Sequence, residues 1–238
     1  MLKELKNNLR VELAQSADIQ FVHEILKRNF PQDLLRFTFY QYNSYIEYLK
    51  KLLNKDLIII LKSNNEICGF AHFLNYEKDT LFLNNIYIER KYRGLNGGGL
   101  LIKEGEKWGK SIGLSKFELD VFEFNTNAIS FYQKNEFVKK NIINWYVFTP
   151  DYKPYVFSKM KEGTKASFVK IISNDKIEEI PIFNNFFYRI KNINLLKNRE
   201  LMQMVEKSKA YFLYIGKERI SGINPIVKSI RMNKILHL

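Results

Sequence analysis

The sequence has few of the residues that build disulfide frameworks and metal sites. It contains one cysteine, Cys68, and three histidines, His23, His72 and His237, which are far apart in the chain. A single cysteine excludes an intrachain disulfide, and the scattered histidines lack the close spacing of metal ligands. Cys68 lies in an apolar, strand-like segment and is predicted to be an inert core residue. We therefore expect no bound metal.

Long apolar runs are also missing. No run approaches the roughly 18 residues that a membrane-spanning helix needs, and residues 1–6 lack the apolar segment of a signal peptide. Hydrophobic residues make up 46% of the chain and aromatic residues 15%, which indicates a globular protein and not a disordered one. We expect a cytoplasmic protein that does not associate with membranes, either a monomer or a homodimer.

The most informative segment begins with a short apolar strand, Ile86-Tyr87-Ile88. Arg93 follows, then four glycines within residues 94–99, and then an amphipathic helix predicted from near Gly98 to a left-handed cap at Gly113. Glycine allows positive φ and lets the backbone approach phosphate oxygens closely. A helix N-terminus adds free N–H groups and the positive end of its dipole, and an arginine adds a charge-assisted contact. The segment therefore predicts a cradle for a pyrophosphate.

Three other interpretations of the glycine run compete with this one. The P-loop pattern requires Lys and then Ser or Thr after its last glycine, and it fails because Leu100 follows Gly99. A dinucleotide fingerprint needs an acidic residue about 20 positions onward, a distance that Asp120 satisfies, but no further helix–strand repeat follows. On glycine content alone, a flexible loop stays open.

A second motif follows the predicted strand Phe117–Val121 and reads Asn125-x-x-Ala128-x-x-Phe131-Tyr132. Together with Arg-x-x-Asn-x-Gly at 93–98, it resembles the two signatures of the GNAT superfamily of acetyl-CoA-dependent N-acetyltransferases, over roughly residues 8 to 160. Asn96 and Glu136 stand where the family prefers glycine. Asparagine is the next best residue at positive φ, so we expect the cradle to form.

The resemblance implies a role for each matching residue. The strand backbone would pair with the pantetheine arm of acetyl-CoA, the loop N–H groups and the arginine would hold the pyrophosphate, and the asparagine would contact the arm. One of Lys91, Lys103 and Lys134 would contact the outlying phosphate. The implied cofactor-binding residues are Ile86, Tyr87, Ile88, Arg93, Gly94, Leu95, Asn96, Gly97, Gly98, Gly99, Asn125, Ala128 and Phe131.

Acetyl transfer needs a proton for the departing thiolate and a neutral amine. Tyr132 is the predicted acid, because a phenol with a pKa near 10 is protonated at neutral pH. Asp120 is the predicted base, with Glu89 and Glu123 as rivals and an exposed, structural carboxylate as the alternative for each. Other family members carry a glutamate near the position of Thr80, which cannot act as a base. Without a strong base, the placement of a neutral amine next to the thioester would supply much of the rate of acetyl transfer.

The predicted elements define an α/β (α+β) fold class: a GNAT-like mixed, mostly antiparallel sheet flanked by helices. Residues 34–53 are predicted to form an aromatic helical stretch, and residues 137–148 and 155–160 a final ribbon. Residues 1–162 would form the acetyltransferase domain. Residues 163–238 would form a small αβ extension with a loose helix at 177–188, either a truncated second GNAT half or an unrelated addition.

The formal net charge of +13 is compatible with several anionic partners. No run of five basic residues is present, so nucleic-acid binding is not favoured. The predicted function is N-acetyl transfer from acetyl-CoA, as acyl-donor cosubstrate, to a primary amine of a small molecule or a protein or peptide. Direct attack in a ternary complex is expected, with the acceptor entering between the aromatic stretch and the final ribbon. A non-catalytic acyl-CoA sensor, a different acyl chain or an O-acceptor are the alternatives.

Overall fold

The computed structural model describes residues 9–77, 79–153, 166–173, 176–183 and 186–237. The chain forms two compact units. The first unit comprises the chain up to Leu26, Ile46–Lys140 and the chain from Ile230 onward, and the second comprises Lys27–Tyr45 and Asn141–Ser229. The predicted boundary after residue 162 lies outside the described residues, so the division into 1–162 and 163–238 stays a prediction.

Helices and strands alternate along the first part of the chain, as the patterns predict. The predicted fold class is confirmed: a mixed α/β arrangement whose described strand pairs are mostly antiparallel. The elements of this part are β1 (Leu9–Leu13), α1 (Ile19–Asn29), α2 (Gln32–Leu35), α3 (Ser44–Leu52), β2 (Leu57–Ser63), β3 (Glu66–Glu77), β4 (Thr80–Ile88), α4 (Gly97–Ser111), β5 (Lys116–Phe122), α5 (Thr126–Lys134) and β6 (Val138–Phe148).

The later part of the chain contributes mainly strands. Its elements are β7 (Ala166–Ser173), β8 (Lys176–Phe183), β9 (Phe187–Ile190), α6 (Arg199–Lys207), β10 (Tyr211–Gly216) and β11 (Val227–Ile235). In the first unit the strand order is β1-β2-β3-β4-β5-β11, and in the second it is β6-β10-β9-β8-β7.

Strand β4 separates from β5 partway along its length, and this forms a fork. The two strands pair in parallel only over Thr80–Leu83, whereas β4 stays paired with β3 as far as Ile88. A bulge at Asn84 marks the point of separation, because His72 faces Asn85 and Phe73 faces Leu83. Beyond the bulge, no described strand covers the β5-facing edge of β4. We call this open edge the fork.

Helix α4 packs on one face of this sheet and brings its N-terminus to the fork. Leu101 and Ile102 are buried against sheet residues such as Phe73, which fixes the helix by apolar contact. The helix ends as predicted: Gly113 has φ of +78°, and the N–H of Leu114 bonds the carbonyl of Gly109. The predicted end of this helix is therefore confirmed.

The last strand of the chain belongs to the first unit from Ile230 onward. Ile230, Met232 and Leu236 are part of its buried core. The strand runs antiparallel to β5, because the N–H of Leu236 bonds the carbonyl of Ser115 and Arg231 lies beside Asp120. The side chain of Arg231 therefore projects on the face of β5 opposite the core.

Two local predictions are wrong. The described residues of the segment 177–188 lie in β8 and at the start of β9 instead of in a helix, because Ile180 and Ile182 are buried in a period of two and Pro181 cannot join a helix interior. The aromatic stretch 34–53 is not one helix: the side chain of Thr38 accepts a bond from the N–H of Tyr40 and separates α2 from α3. The ribbon strand predicted at 155–160 lies outside the described residues.

Candidate active site

The glycine-rich loop leads from β4 into α4 and has the backbone geometry that its sequence predicts. Asn96 takes the left-handed conformation, with φ of 66° and ψ of 14°, and Gly94 has φ of 80°. No described residue accepts a hydrogen bond from the N–H groups of residues 94–99. These groups stand at the positive end of the helix dipole, so the loop can bind an anion through its backbone.

A direct contact joins the two sequence motifs. A Cβ atom added at Gly98 would lie 2.8 Å from Cζ of Phe131, so the ring of Phe131 rests on the backbone of the first helical turn. Phe131 belongs to α5, and its ring also lies 5.3 Å from that of Tyr132, centroid to centroid. The glycine at position 98 is thus needed for close approach, and the contact brings the predicted acid next to the anion cradle.

Arg93 lies at the mouth of this cradle. Its Nε donates to the carbonyl oxygen of Ile88 at 2.9 Å, and its guanidinium carbon is 5.6 Å from the centroid of the Tyr87 ring. These contacts hold the side chain while its terminal N–H groups face outward, since the residue is exposed. The guanidinium can therefore still donate to a bound phosphate.

The backbone of β4 offers hydrogen-bonding groups to the fork at alternate residues. The N–H of Glu89 bonds the carbonyl of Cys68, and the pairing alternates, so Tyr87 directs its backbone groups toward β3. Ile86 and Ile88 direct theirs toward the fork. Arg93 occupies the Ile88 carbonyl, which leaves both Ile86 groups and the Ile88 N–H. The strand that the sequence predicts thus offers two of its three residues to an extended ligand.

Helix α5 carries the remaining residues of the second motif. The side-chain oxygen of Asn125 accepts from the N–H of Ala128 at 3.3 Å and caps the helix, and Ala128 packs against the core. Tyr132 is buried between the rings of Phe131 and Phe137, and its hydroxyl makes no hydrogen bond with a described residue. Burial raises the pKa of Tyr132, so the phenol keeps its proton at neutral pH.

Asp120 is held by a residue that the sequence did not point to. Both of its carboxylate oxygens accept from Arg231, one from Nε and the other from Nη2 at 2.9 Å. Glu118 accepts from Nη1 of Arg231 at 2.9 Å and from Lys140 at 2.8 Å. Burial alone would lower the pKa of Arg231, but the two carboxylates outweigh it and raise the pKa. We call these four residues the ion cluster.

Two neighbouring aromatic rings lie beside the guanidinium of the ion cluster. Its carbon lies 5.1 Å from the ring centroid of Phe82 and 5.8 Å from that of Tyr76. Arg231 stands 111 positions after Asp120, in the part of the chain predicted to be an extension. A lone arginine in a strand gives no sequence signal of such a partner, which is why it was missed.

The rival bases lie in different surroundings. Glu123 is exposed, Glu89 receives a long hydrogen bond of 3.5 Å from the Tyr87 hydroxyl, and buried Thr80 donates to Asp79 at 3.2 Å. Of the predicted lysines, Lys91 is ion-paired with Glu66, whereas Lys103 and Lys134 are exposed.

Part of the predicted acceptor wall is core. Phe37, Tyr45 and Tyr146 are buried, and Phe37 packs edge-on against Phe187, whereas Tyr48 is exposed and Trp145 is half-buried. In the described part of the chain, no group of His, Cys, Asp or Glu residues could hold a metal ion, and no helix is long and apolar enough to cross a membrane.

A sheet that opens at a bulge beside a glycine-rich helix N-terminus defines the class of fold that holds an extended, phosphate-bearing ligand at its edge. The profile described as "Acetyltransferase (GNAT) family" matches residues 19–137, half of the 238-residue chain, and the chain belongs to that family. The predicted resemblance is thereby confirmed. A comparison with curated protein sequences gave no match.

Solved structures share the fold. A GCN5-related N-acetyltransferase from Sphaerobacter thermophilus has a TM-score of 0.60 at 10% identity, covering 98% of this chain and 97% of its own. The ribosomal-protein-S18-alanine N-acetyltransferase from Escherichia coli has a TM-score of 0.51 at 13% identity, and the match covers 97% of this chain and 95% of that protein. The paia N-acetyltransferase from Thermoplasma acidophilum, in complex with coenzyme A, is 18% identical, and the match covers 56% of this chain and 91% of that protein. Its TM-score of 0.49 is too low to support the shared fold.

Proposed function

We propose that this protein transfers an acetyl group from acetyl-CoA to a primary amine by direct attack in a ternary complex. The acceptor amine belongs to a small molecule or to a protein or peptide. Family membership supports acyl transfer in general, and the fork and cradle support the choice of a pantetheine-bearing donor.

One observation carries the proposal: the ring of Phe131 rests on Gly98 and so joins the anion cradle to the helix of Tyr132. A pyrophosphate on the N–H groups of 94–99 and an arm along Ile86 and Ile88 would lie on one continuous path beside the fork. In this proposal Arg93 contacts the pyrophosphate, and Asn125 and Ala128 border the arm at the start of α5.

The proposed reaction needs few groups. The amine nitrogen attacks the thioester carbonyl carbon, a C–N bond forms, and the C–S bond breaks as the intermediate collapses. Tyr132 donates its phenolic proton to the departing thiolate; its raised pKa keeps the phenol protonated until then, but it also makes the phenol a weaker acid than a free one. The nitrogen releases its proton to solvent, and the phenol is reprotonated from solvent.

Asp120 is not assigned as the base in this proposal. Arg231 donates to both of its oxygens, which leaves fewer lone pairs to take a proton from an amine. We therefore assign Asp120 the orientation of the incoming amine through its remaining lone pairs. The amine arrives neutral, and its placement beside the thioester supplies most of the rate.

Thiol release from acetyl-CoA with a panel of amines tests the proposal, with mass spectrometry of the acetylated product. We expect Tyr132→Phe to lower kcat by about 100-fold, the lower end of the range for a general acid, and to leave carrier affinity unchanged. Tyr92→Phe is the matched control, since Tyr92 is also buried and its hydroxyl donates to Glu66. Unchanged turnover in Tyr132→Phe would show that Tyr132 is not the general acid.

The ion pair of Asp120 favours a second candidate, a non-catalytic acyl-CoA-binding protein. A site whose carboxylate is neutralised by an arginine can bind a carrier without activating an acceptor. Tight carrier binding measured by calorimetry, with no turnover on any amine, would support this candidate and contradict the first.

A further inference from the structure

A chain of partly buried hydrogen bonds ends at the bulge that opens the fork. Nε2 of His72, on β3, lies 2.7 Å from Oδ2 of Asp56, and Nδ1 lies 3.2 Å from Nδ2 of Asn84. Nδ2 of Asn84 also donates to Oδ1 of Asn85 at 2.9 Å. The His72 side chain is only 2% exposed, and that of Asp56 is 14% exposed. We call Asp56, His72 and Asn84 the relay.

The pattern of donors fixes the state of the imidazole. An amide nitrogen only donates, so Nδ1 of His72 must accept from Asn84. A neutral ring then carries its proton on Nε2, which donates to the Asp56 carboxylate. With the Asn84 amide in this orientation, each hydrogen bond of the relay joins one donor to one acceptor.

We propose that Asp56 and His72 are positioning residues that act through Asn84 to hold the bulge of β4. Asn84 is the residue of β4 that no residue of β3 faces, so the backbone ladder holds it less than its neighbours. The hydrogen bond from the Asn84 side chain to His72 supplies the restraint that the backbone ladder lacks at this residue. It thereby fixes the direction in which β4 leaves β5, and with it the backbone groups of Ile86 and Ile88 that face the fork.

This inference rests on the proposed function, because the edge that the relay holds is the one along which the carrier arm would lie. The inference predicts a loss of carrier affinity when the side-chain hydrogen bonds of Asn84 are removed, even though the Asn84 side chain need not touch the carrier. We expect Asn84→Ala to weaken coenzyme A binding about tenfold, which corresponds to the loss of one to two hydrogen bonds of positioning. His72→Gln keeps a donor for Asp56 and loses the ring acceptor, so a similar weakening is expected.

Calorimetric titration with coenzyme A and thermal melting test the relay together. Ile60→Val is the control for general destabilisation, because Ile60 is fully buried on β2 in the same unit and has no part in the relay. Weaker binding in Asn84→Ala and His72→Gln, with binding unchanged in Ile60→Val at a similar melting temperature, supports the inference. Equal binding in all three variants overturns it.

A spectroscopic measurement covers the case in which a variant does not fold. The ¹⁵N shifts of His72 in the wild-type protein should report a neutral ring protonated at Nε2. A ring protonated at Nδ1 or at both nitrogens overturns the relay. If the wild type does not bind coenzyme A at all, the proposed function fails and this inference falls with it. If the wild type binds and turns over but the relay variants match it, only the relay is wrong.

Discussion

The two strands of the fork are held in different ways. On the β4 side, the buried imidazole of His72 forms hydrogen bonds with the amide of Asn84 and with one carboxylate, that of Asp56. On the β5 side, Glu118 and Asp120 are held by two cations, Arg231 and Lys140. The comparison teaches that one side depends on shape and hydrogen bonding, whereas the other depends on charge supplied by the last strand.

The largest expected effect is on the charged side. Arg231→Met should lower the free energy of unfolding by about 3 kcal/mol, because it leaves the buried carboxylate of Glu118 with Lys140 alone and removes the partner of Asp120. Urea denaturation measures this change. The control is Lys107→Met, whose exposed pair with Glu104 should contribute less than about 0.5 kcal/mol. Similar changes in both variants would contradict the importance of the ion cluster.

A substitution in the cradle changes neither side of the fork, so it tests carrier binding independently of the relay and the ion cluster. Gly98→Ala places a Cβ 2.8 Å from the Phe131 ring, so the ring must move, and we expect coenzyme A to bind at least about tenfold more weakly. Gly109→Ala is the matched control at the far end of the same helix, where the nearest atom would lie at 3.1 Å. Equal affinity in both variants would show that the contact of the two motifs does not shape the cradle.

Asp120→Asn tests whether the charged side takes part in chemistry. The amide keeps the shape of the carboxylate but removes its charge, and we expect kcat to fall by less than about tenfold, because a neutral amine needs no strong base. The kcat for the best amine of the panel measures this. A loss on the order of 1,000-fold would instead identify Asp120 as the base.

Acidification should weaken the charged side through Glu118. Burial opposes its ionisation, but hydrogen bonds from Lys140 and Arg231 outweigh burial and lower the pKa of this carboxyl. A lowered pKa contributes stability that is fully present above the unfolded value, near 4.3, and is lost as the pH falls through the folded value. Urea midpoints between pH 6 and pH 3 should decrease less in Arg231→Met than in the wild type, and an equal decrease would contradict this origin.

Local features of the fold were predictable because neighbouring residues determine them. The positive φ of Asn96 and the cap at Gly113 follow from backbone preferences that act over a few positions. The spacing of the two motifs predicted the strand–loop–helix order around them. The helix predicted at 177–188 failed because its apolar residues fit a period of two better than a helical one.

The sequence by itself determined the cradle, the two motifs and, through them, the family. Only the tertiary structure decided that Arg231 neutralises Asp120, that Phe131 rests on Gly98, and that Asn84 forms the bulge of β4. Each of these depends on residues that meet across strands or helices far apart in the chain. Backbone preference acts on near neighbours, whereas charge pairing and close packing depend on distance in space.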